Sequence, residues 1–137
     1  MTSVPAIGSA IPLLERTVTR AVVESYADAS GDRNPLHLDD EFASTTAFGG
    51  VIAHGMITVA YVSQAMHLWL GNGWASGGAL NVSFLKPVRP GDHLAVRGTV
   101  TGAEPDPSGR ARVTCAIEVT NERAETVLAG TASGLWT

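Results

Sequence analysis

The chain has 137 residues, a length that predicts one domain over residues 1–137 with a core of its own. Lys and Arg together number 9 and Asp and Glu number 13, so the formal net charge is −4. That balance disfavours nucleic acids and anionic membranes as partners, because both require a concentrated basic surface. With 45% hydrophobic and 16% charged residues, the composition also excludes a disordered chain.

The amino-terminal segment and the cysteine content bear on the cellular compartment. Cys115 is the single cysteine of the sequence, so no internal disulfide can form. The first 14 residues lack a basic stretch and carry Pro5 and Pro12, unlike a secretory signal. The apolar segment 55–70 is shorter than the roughly 20 residues that a membrane-spanning helix needs. We therefore expect a cytoplasmic protein without a membrane span, in which Cys115 packs in the core.

The first half of the chain has the spacing of helices. Thr19 is placed to cap a helix over residues 20–29, whose apolar side chains recur every three or four positions. The turn-forming run 30–35 ends that helix, and a short helix follows over 39–46. Residues 54–70 are apolar on nearly every side, which predicts a helix enclosed by other structure.

The second half of the chain has the alternation of strands. Turn signals separate four predicted strands, over residues 79–86, 93–102, 110–120 and 126–136. The glycine-rich run 71–77 before them has the wrong spacing for a dinucleotide-binding loop and is interpreted as a flexible turn. The sequence thus predicts an α+β fold, in which a long antiparallel sheet curls around one buried helix.

The polar loop after the first helix is the first candidate for chemistry. Asp32 and His37 lie five residues apart, and the Asn34–Pro35 bond between them stiffens the backbone. A carboxylate and an imidazole that converge on one water can act as general base and general acid. The alternative is that Asp32 and Asn34 only bond to their own backbone, as such residues do in turns.

The start of the predicted buried helix is the second candidate. The first backbone N–H groups of a helix have no partner inside it, and Gly55 permits close approach of a ligand, so this end could stabilise an oxyanion. Alternatively, Gly55 relieves crowding and His54 is a hydrogen-bonded core or capping residue.

Other polar groups rank lower. Possible metal ligands, His37, Asp39, Asp40 and His54, do not have the spacing of a known metal motif, and we expect no metal. The basic residues Lys86, Arg89 and Arg97 could meet a phosphate, although single surface charges are usually only solvated.

Taken together, the residues around these two candidates resemble the hydratase 2 motif of R-specific enoyl-CoA hydratases in the MaoC-like dehydratase family. The match comprises Tyr26, Ser30, Gly31, Asp32, Asn34, Pro35, Leu36, His37, Asp39, Phe42, Ala43, Phe48 and Ile52 to Met56. Residues 84–88 and 90–92 are similar to the strand–turn–strand segment of the family.

The resemblance implies a hot-dog fold, and a homodimer or a dimer of dimers whose sheets join edge to edge. It implies reversible hydration of a trans-2-enoyl-CoA to the (R)-3-hydroxyacyl-CoA, without a metal or redox cofactor. Asp32 and His37 would form the catalytic dyad, and the Gly55 amide would bind the thioester carbonyl. Asn34, which would fix the dyad or its water, is expected at the substrate together with His54 and Met56. The acyl group could be carried by CoA or by an acyl-carrier protein.

Two other functions stay open at this point. A hot-dog acyl-CoA thioesterase would release free thiol from a saturated acyl-CoA and need no alkene. A non-catalytic subunit of a hetero-oligomer would have no physical need for both Asp32 and His37.

Overall fold

The computed structural model describes residues 3–137; Met1 and Thr2, the first residues of the amino-terminal segment considered above, lie outside the described residues. Along the described chain the elements follow one another as β1 (Leu14–Thr17), α1 (Arg20–Ser30), α2 (Pro35–Leu38), α3 (Asp40–Ser44), α4 (Gly55–Leu70), α5 (Asn72–Gly77), β2 (Ala79–Phe84), β3 (His93–Pro105), β4 (Ala111–Thr120) and β5 (Thr126–Trp136).

The five strands form one antiparallel sheet in the order β1-β3-β4-β5-β2. The four predicted strands are confirmed, although β3 continues to Pro105 and β2 ends at Phe84. Strand β1 was not predicted; it is an edge strand of four residues whose sequence LERT does not alternate regularly. At the opposite edge lies β2, which pairs with β5.

Helix α4 lies against the sheet and contacts β1, β3 and β5. Its buried side chains are Ile57, Thr58, Val62, Ala65, Met66 and Leu70. The predicted packing of this apolar helix against one long antiparallel sheet is confirmed, and the sheet lies on one side of the helix. On the other side, the side chains of Met56 and Leu68 are 53% and 65% exposed.

The prediction of a flexible turn over residues 71–77 is wrong, because residues Asn72–Gly77 form helix α5 against β5. A Cβ atom at Gly73 would lie 1.8 Å from the carbonyl oxygen of Leu135. At Gly77 a Cβ atom would lie 2.9 Å from the Leu135 side chain. These glycines therefore serve close packing between helix and strand rather than flexibility.

Side-chain caps fix the three short helices that precede α4. Thr19 Oγ1 accepts a hydrogen bond from the Val22 amide at 3.1 Å, which confirms the predicted cap of α1. Gly31 ends α1 in the left-handed conformation, with φ of 78°, a region that glycine enters without steric cost. Asn34 and Asp39 cap α2 and α3 through their side-chain oxygens. The loop that carries Asp32 is therefore held at both ends by helix caps.

Two expectations from composition can be compared with this fold. Within residues 3–137, none of the helices combines the length and apolar character that crossing a bilayer requires. Cys115 is buried in the core, as predicted, and burial raises the pKa of its thiol to about 11. Because the thiolate is the reactive form, Cys115 is inert near neutral pH.

Candidate active site

The first candidate residue, Asp32, lies on the exposed loop between α1 and α2. Its Oδ1 accepts a hydrogen bond from the Asn34 amide at 3.3 Å, and Asn34 Oδ1 accepts one from the Leu36 amide at 3.0 Å. The alternative interpretation of this loop, in which both side chains bond to local backbone, is thus correct as geometry. These bonds do not exclude a catalytic role for Asp32, because its second carboxylate oxygen is not used in them.

His37 lies on α2, the single helical turn that Asn34 caps. The Nδ1 atom of its half-buried ring is 2.8 Å from the carbonyl oxygen of Ile52. A carbonyl oxygen can only accept, so Nδ1 carries the proton of this bond. In the neutral ring Nε2 then holds the free lone pair, and this nitrogen can accept a hydrogen bond or a proton from a ligand.

His54 is buried at 2% exposure, immediately before α4. Its Nε2 atom is 2.8 Å from the backbone carbonyl oxygen of Asp32, so Nε2 is the donor. The ring stacks on that of His37, with centroids 3.8 Å apart and an angle of 27° between the planes. Tyr26 contacts the same ring at a centroid distance of 4.7 Å. The interpretation of His54 as a hydrogen-bonded core residue therefore describes its geometry.

These contacts bring Asp32, His37 and His54 together. One carboxylate oxygen or ring nitrogen of each lies within 4.8 Å of those of the other two. Such distances alone would permit a metal ion, but an ion must lie in the plane of each ring that binds it, and two planes stacked at 3.8 Å and 27° do not meet close to the ring nitrogens. The arrangement therefore suits proton transfer better than coordination.

The acidic residues considered above as metal ligands lie in other contacts. Asp39 Oδ1 accepts from the Phe42 amide at 3.1 Å, and Asp40 pairs with Arg20 at 2.6 Å. Of these carboxylates, the one that lies close to the two histidines is therefore that of Asp32 and not that of Asp39 or Asp40.

Gly55 begins α4 directly after His54, at the exposed start of the helix. The His54 side chain does not cap the helix, and the Ile57 amide donates to the His54 carbonyl at 3.1 Å, which leaves the N–H groups of Gly55 and Met56 to a ligand. The positive end of the helix dipole reinforces their attraction for a negative oxygen. A donor of this kind can stabilise an anionic intermediate.

An apolar cleft of about 330 Å³ borders Gly55. The walls come from the segments before and within α4, from β2 and its following turn, and from β5: Phe48, Ile52, Ala53, Gly55, Thr58, Phe84, Leu85, Lys86, Pro87, Val88 and Val127. The ring of Phe84 packs so closely on Gly55 that a Cβ atom there would lie 2.8 Å from it. A side chain at position 55 would thus displace the Phe84 ring, as the crowding interpretation holds, and Gly55 also lines the cleft.

The three basic residues considered for a phosphate all have local partners. Lys86 Nζ pairs with Glu125 at 2.8 Å, Arg97 Nη1 donates to Thr120 Oγ1 at 2.9 Å, and Arg89 donates to the Phe48 carbonyl. Lys86, with help from Asn121 and Arg123, lowers the pKa of Glu125 to about 2. The Glu125 carboxylate is therefore charged near neutral pH and holds Lys86 beside the cleft.

Three contacts that hold the candidate site together were not predicted from the sequence. The Ile52 carbonyl orients His37, Tyr26 supports His54, and Phe84 covers Gly55. Tyr26 and Phe84 belong to the segments that resemble the family, and this resemblance was the only sign in the sequence that they lie near the site. Met56 is exposed at the start of α4, outside the lining of the cleft, and substrate contacts by Met56 and Asn34 stay predictions.

The fold identifies the class of the protein. An (R)-hydratase from A. caviae involved in PHA biosynthesis has a solved structure that matches with a TM-score of 0.83 and 27% identity, over 99% of this chain and 100% of that chain. The sheet and central helix described above are those of the hot-dog fold. The sequence model of the MaoC-like domain family matches residues 3–123, so the chain belongs to the MaoC-like dehydratase family.

Two curated relatives indicate the chemistry of this family. A 3-hydroxybutyryl-CoA dehydratase from Methylorubrum extorquens is 35% identical over 110 residues, which cover 80% of this chain and 69% of that protein. An (R)-specific enoyl-CoA hydratase from Rhodospirillum rubrum is 35% identical over 97 residues, which cover 68% of this chain and 65% of that protein. Both names describe addition or removal of water at an acyl-CoA, and the chain is thus a member of a hydratase and dehydratase family.

Proposed function

We propose that this chain catalyses the reversible hydration of a trans-2-enoyl-CoA to the (R)-3-hydroxyacyl-CoA. The observation that carries the proposal is the convergence of Asp32 and His37 beside the segment 52–55, which ends at the free amide of Gly55. The similarity to an (R)-specific enoyl-CoA hydratase supports the same reaction and its stereochemistry.

The thioester carbonyl is the group that Gly55 would bind. When water adds to C3 of the alkene, the π electrons move towards the thioester and negative charge develops on its carbonyl oxygen. The Gly55 amide and the helix dipole lower the energy of that charge, an effect that for a single donor is about 2.7–4 kcal/mol. The apolar walls of the adjacent cleft suit the acyl portion of the substrate.

Asp32 and His37 would move the protons. We assign Asp32 as the principal base that removes a proton from water while the water oxygen bonds to C3. The free Nε2 of His37 orients this water and relays the proton to C2, where it completes the product and discharges the enolate. The water supplies all the added atoms, so the proposed reaction consumes no redox equivalent. Because the two groups interact, they titrate as a unit.

A spectroscopic assay tests this function. Purified protein mixed with a short trans-2-enoyl-CoA should abolish the absorbance of the conjugated double bond and form the (R)-3-hydroxyacyl-CoA, as resolved by chiral chromatography. A thiol reagent run in parallel with a saturated acyl-CoA detects a thioesterase. Thiol release without hydration would contradict the proposal, and so would a protein that acts only after a second subunit is added.

We also propose that the chain assembles as a homodimer, or a dimer of dimers, through the edge of β2. This strand pairs only on its β5 side within the described chain, and its free side is an unblocked template for another strand. Phe84, Leu85 and the α4 side chains Met56 and Leu68 are each more than half exposed, which suits burial by a second copy. Sedimentation equilibrium should give a multiple of 14.2 kDa, and the mass of a single chain would contradict the assembly.

A further inference from the structure

One buried ring touches both members of the proposed dyad. His54 donates its Nε2 proton to the backbone carbonyl of Asp32 at 2.8 Å and stacks on the ring of His37 at 3.8 Å. Tyr26 packs on the His54 ring as well, with an angle of 58° between the two planes. The position of each proton-carrying residue therefore depends on where the His54 ring lies.

The same residue is also linked to the proposed oxyanion donor. His54 is the residue before Gly55, at the start of α4. The preceding residues are anchored too, because the Ala53 amide donates to Val88 O at 2.7 Å and the Ile52 carbonyl accepts from His37 at 2.8 Å. A shift of the His54 ring would thus disturb the dyad and the helix start together.

The two ring nitrogens of His54 leave little room for a direct role in substrate binding. Nε2 is engaged by the Asp32 carbonyl, and Nδ1 is buried without a hydrogen-bond partner among residues 3–137. A bond to a carbonyl requires the proton on Nε2, so the neutral ring has a bare lone pair on Nδ1. The contacts that the structure shows for this ring are therefore those to Asp32, His37 and Tyr26.

We propose that His54 is a positioning residue, which as the Nε2–H tautomer holds Asp32 and His37 in register with the Gly55 amide. The inference rests on the proposed function and changes the role that the sequence assigned to His54 from substrate contact to support of the dyad. The hydrogen bond fixes the backbone of Asp32, and the stacked face fixes the plane of the His37 ring.

The tautomer can be measured without substrate. In two-dimensional ¹H–¹⁵N spectra of the imidazole rings, with His54→Gln used for assignment, His54 should show a protonated Nε2 and an unprotonated Nδ1 near neutral pH. A proton on Nδ1, or rapid averaging between the two tautomers, would overturn the inference. This measurement does not depend on whether the chain turns over enoyl-CoA.

Two substitutions separate the hydrogen bond from the ring. His54→Phe keeps a flat ring and removes the donor, and we expect kcat to fall by about 10²-fold with KM little changed, because misplaced catalytic groups lose that much. His54→Gln keeps an N–H near the position of Nε2 and should recover part of this loss. His67→Gln, at an exposed histidine near the other end of α4, is the matched control and should retain wild-type kcat.

The variants can overturn the inference in two ways. Wild-type kcat in His54→Phe would show that the Nε2 hydrogen bond positions nothing. A rise in KM with unchanged kcat would identify a substrate contact instead. If His54→Phe does not fold, His54→Gln and the tautomer measurement still decide the question. Failure of the proposed function would appear differently, as a wild-type protein that hydrates no enoyl-CoA.

Discussion

Asp32→Asn should remain folded and lose most of the hydratase activity. The amide has nearly the same shape as the carboxylate, and its oxygen can still accept the hydrogen bond from the Asn34 amide, now at 3.3 Å. The amide cannot take a proton from water, so kcat/KM should fall by about 10²–10⁴-fold, the usual contribution of general base catalysis. Initial rates with a short enoyl-CoA and the thermal unfolding midpoint measure the two effects.

Asp40→Asn is the matched control for this experiment. Asp40 is an exposed carboxylate eight positions further along the chain, paired with Arg20 on the surface. Exposed ion pairs contribute little to stability, so this variant should keep wild-type activity and nearly wild-type stability. Normal turnover by Asp32→Asn would remove Asp32 from the mechanism. Equal losses in both variants would point to a general effect of charge instead.

The long elements of the fold were predictable because each buries one face, and the apolar residues of that face repeat periodically in the sequence. Helix α4 and strands β2 to β5 each span enough residues for apolar side chains to repeat at the period of their own geometry. Strand β1 has four residues and α2 has four, too few for a period to be recognised. For α2 the Asn34–Pro35 pair was a usable signal, since asparagine caps helices and proline favours their first turn.

The error at α5 has a physical origin. Sequence patterns record how apolar or small a residue is, but not which other surface it meets. The glycines of α5 were interpreted as flexible, although Gly73 is small because the Leu135 carbonyl passes close to it. In α4 the apolar pattern predicted packing against other structure, but it did not show that the side chains of Met56 and Leu68 are the exposed ones.

The residues of the candidate site could be predicted from the sequence, but the hydrogen bonds that place them in space could not. The family resemblance identified Asp32, His37 and Gly55 by their spacing. The bonds that assemble them run through main-chain carbonyls, from His37 to Ile52 and from His54 to Asp32. Every residue has a carbonyl, so no residue type at position 52 could have signalled that contact.

His37→Asn tests the second member of the dyad. The asparagine amide group can still donate a hydrogen bond to the Ile52 carbonyl in place of Nδ1–H, but the variant has no counterpart of the free Nε2. We expect kcat/KM to fall by about 10²–10⁴-fold while the chain stays folded. Retention of full activity would show that His37 has no part in the proton transfers.

The double variant Asp32→Asn/His37→Asn measures whether the two groups act together. If Asp32 and His37 serve the same water, removal of either one already disables the transfer, and the second substitution has little left to remove. The double variant should then be about as slow as the slower single variant, as is typical of residues that form one catalytic unit. Losses that multiply would show that Asp32 and His37 contribute to separate steps. The comparison thus tests the dyad as a unit, since each single variant reports only on its own side chain.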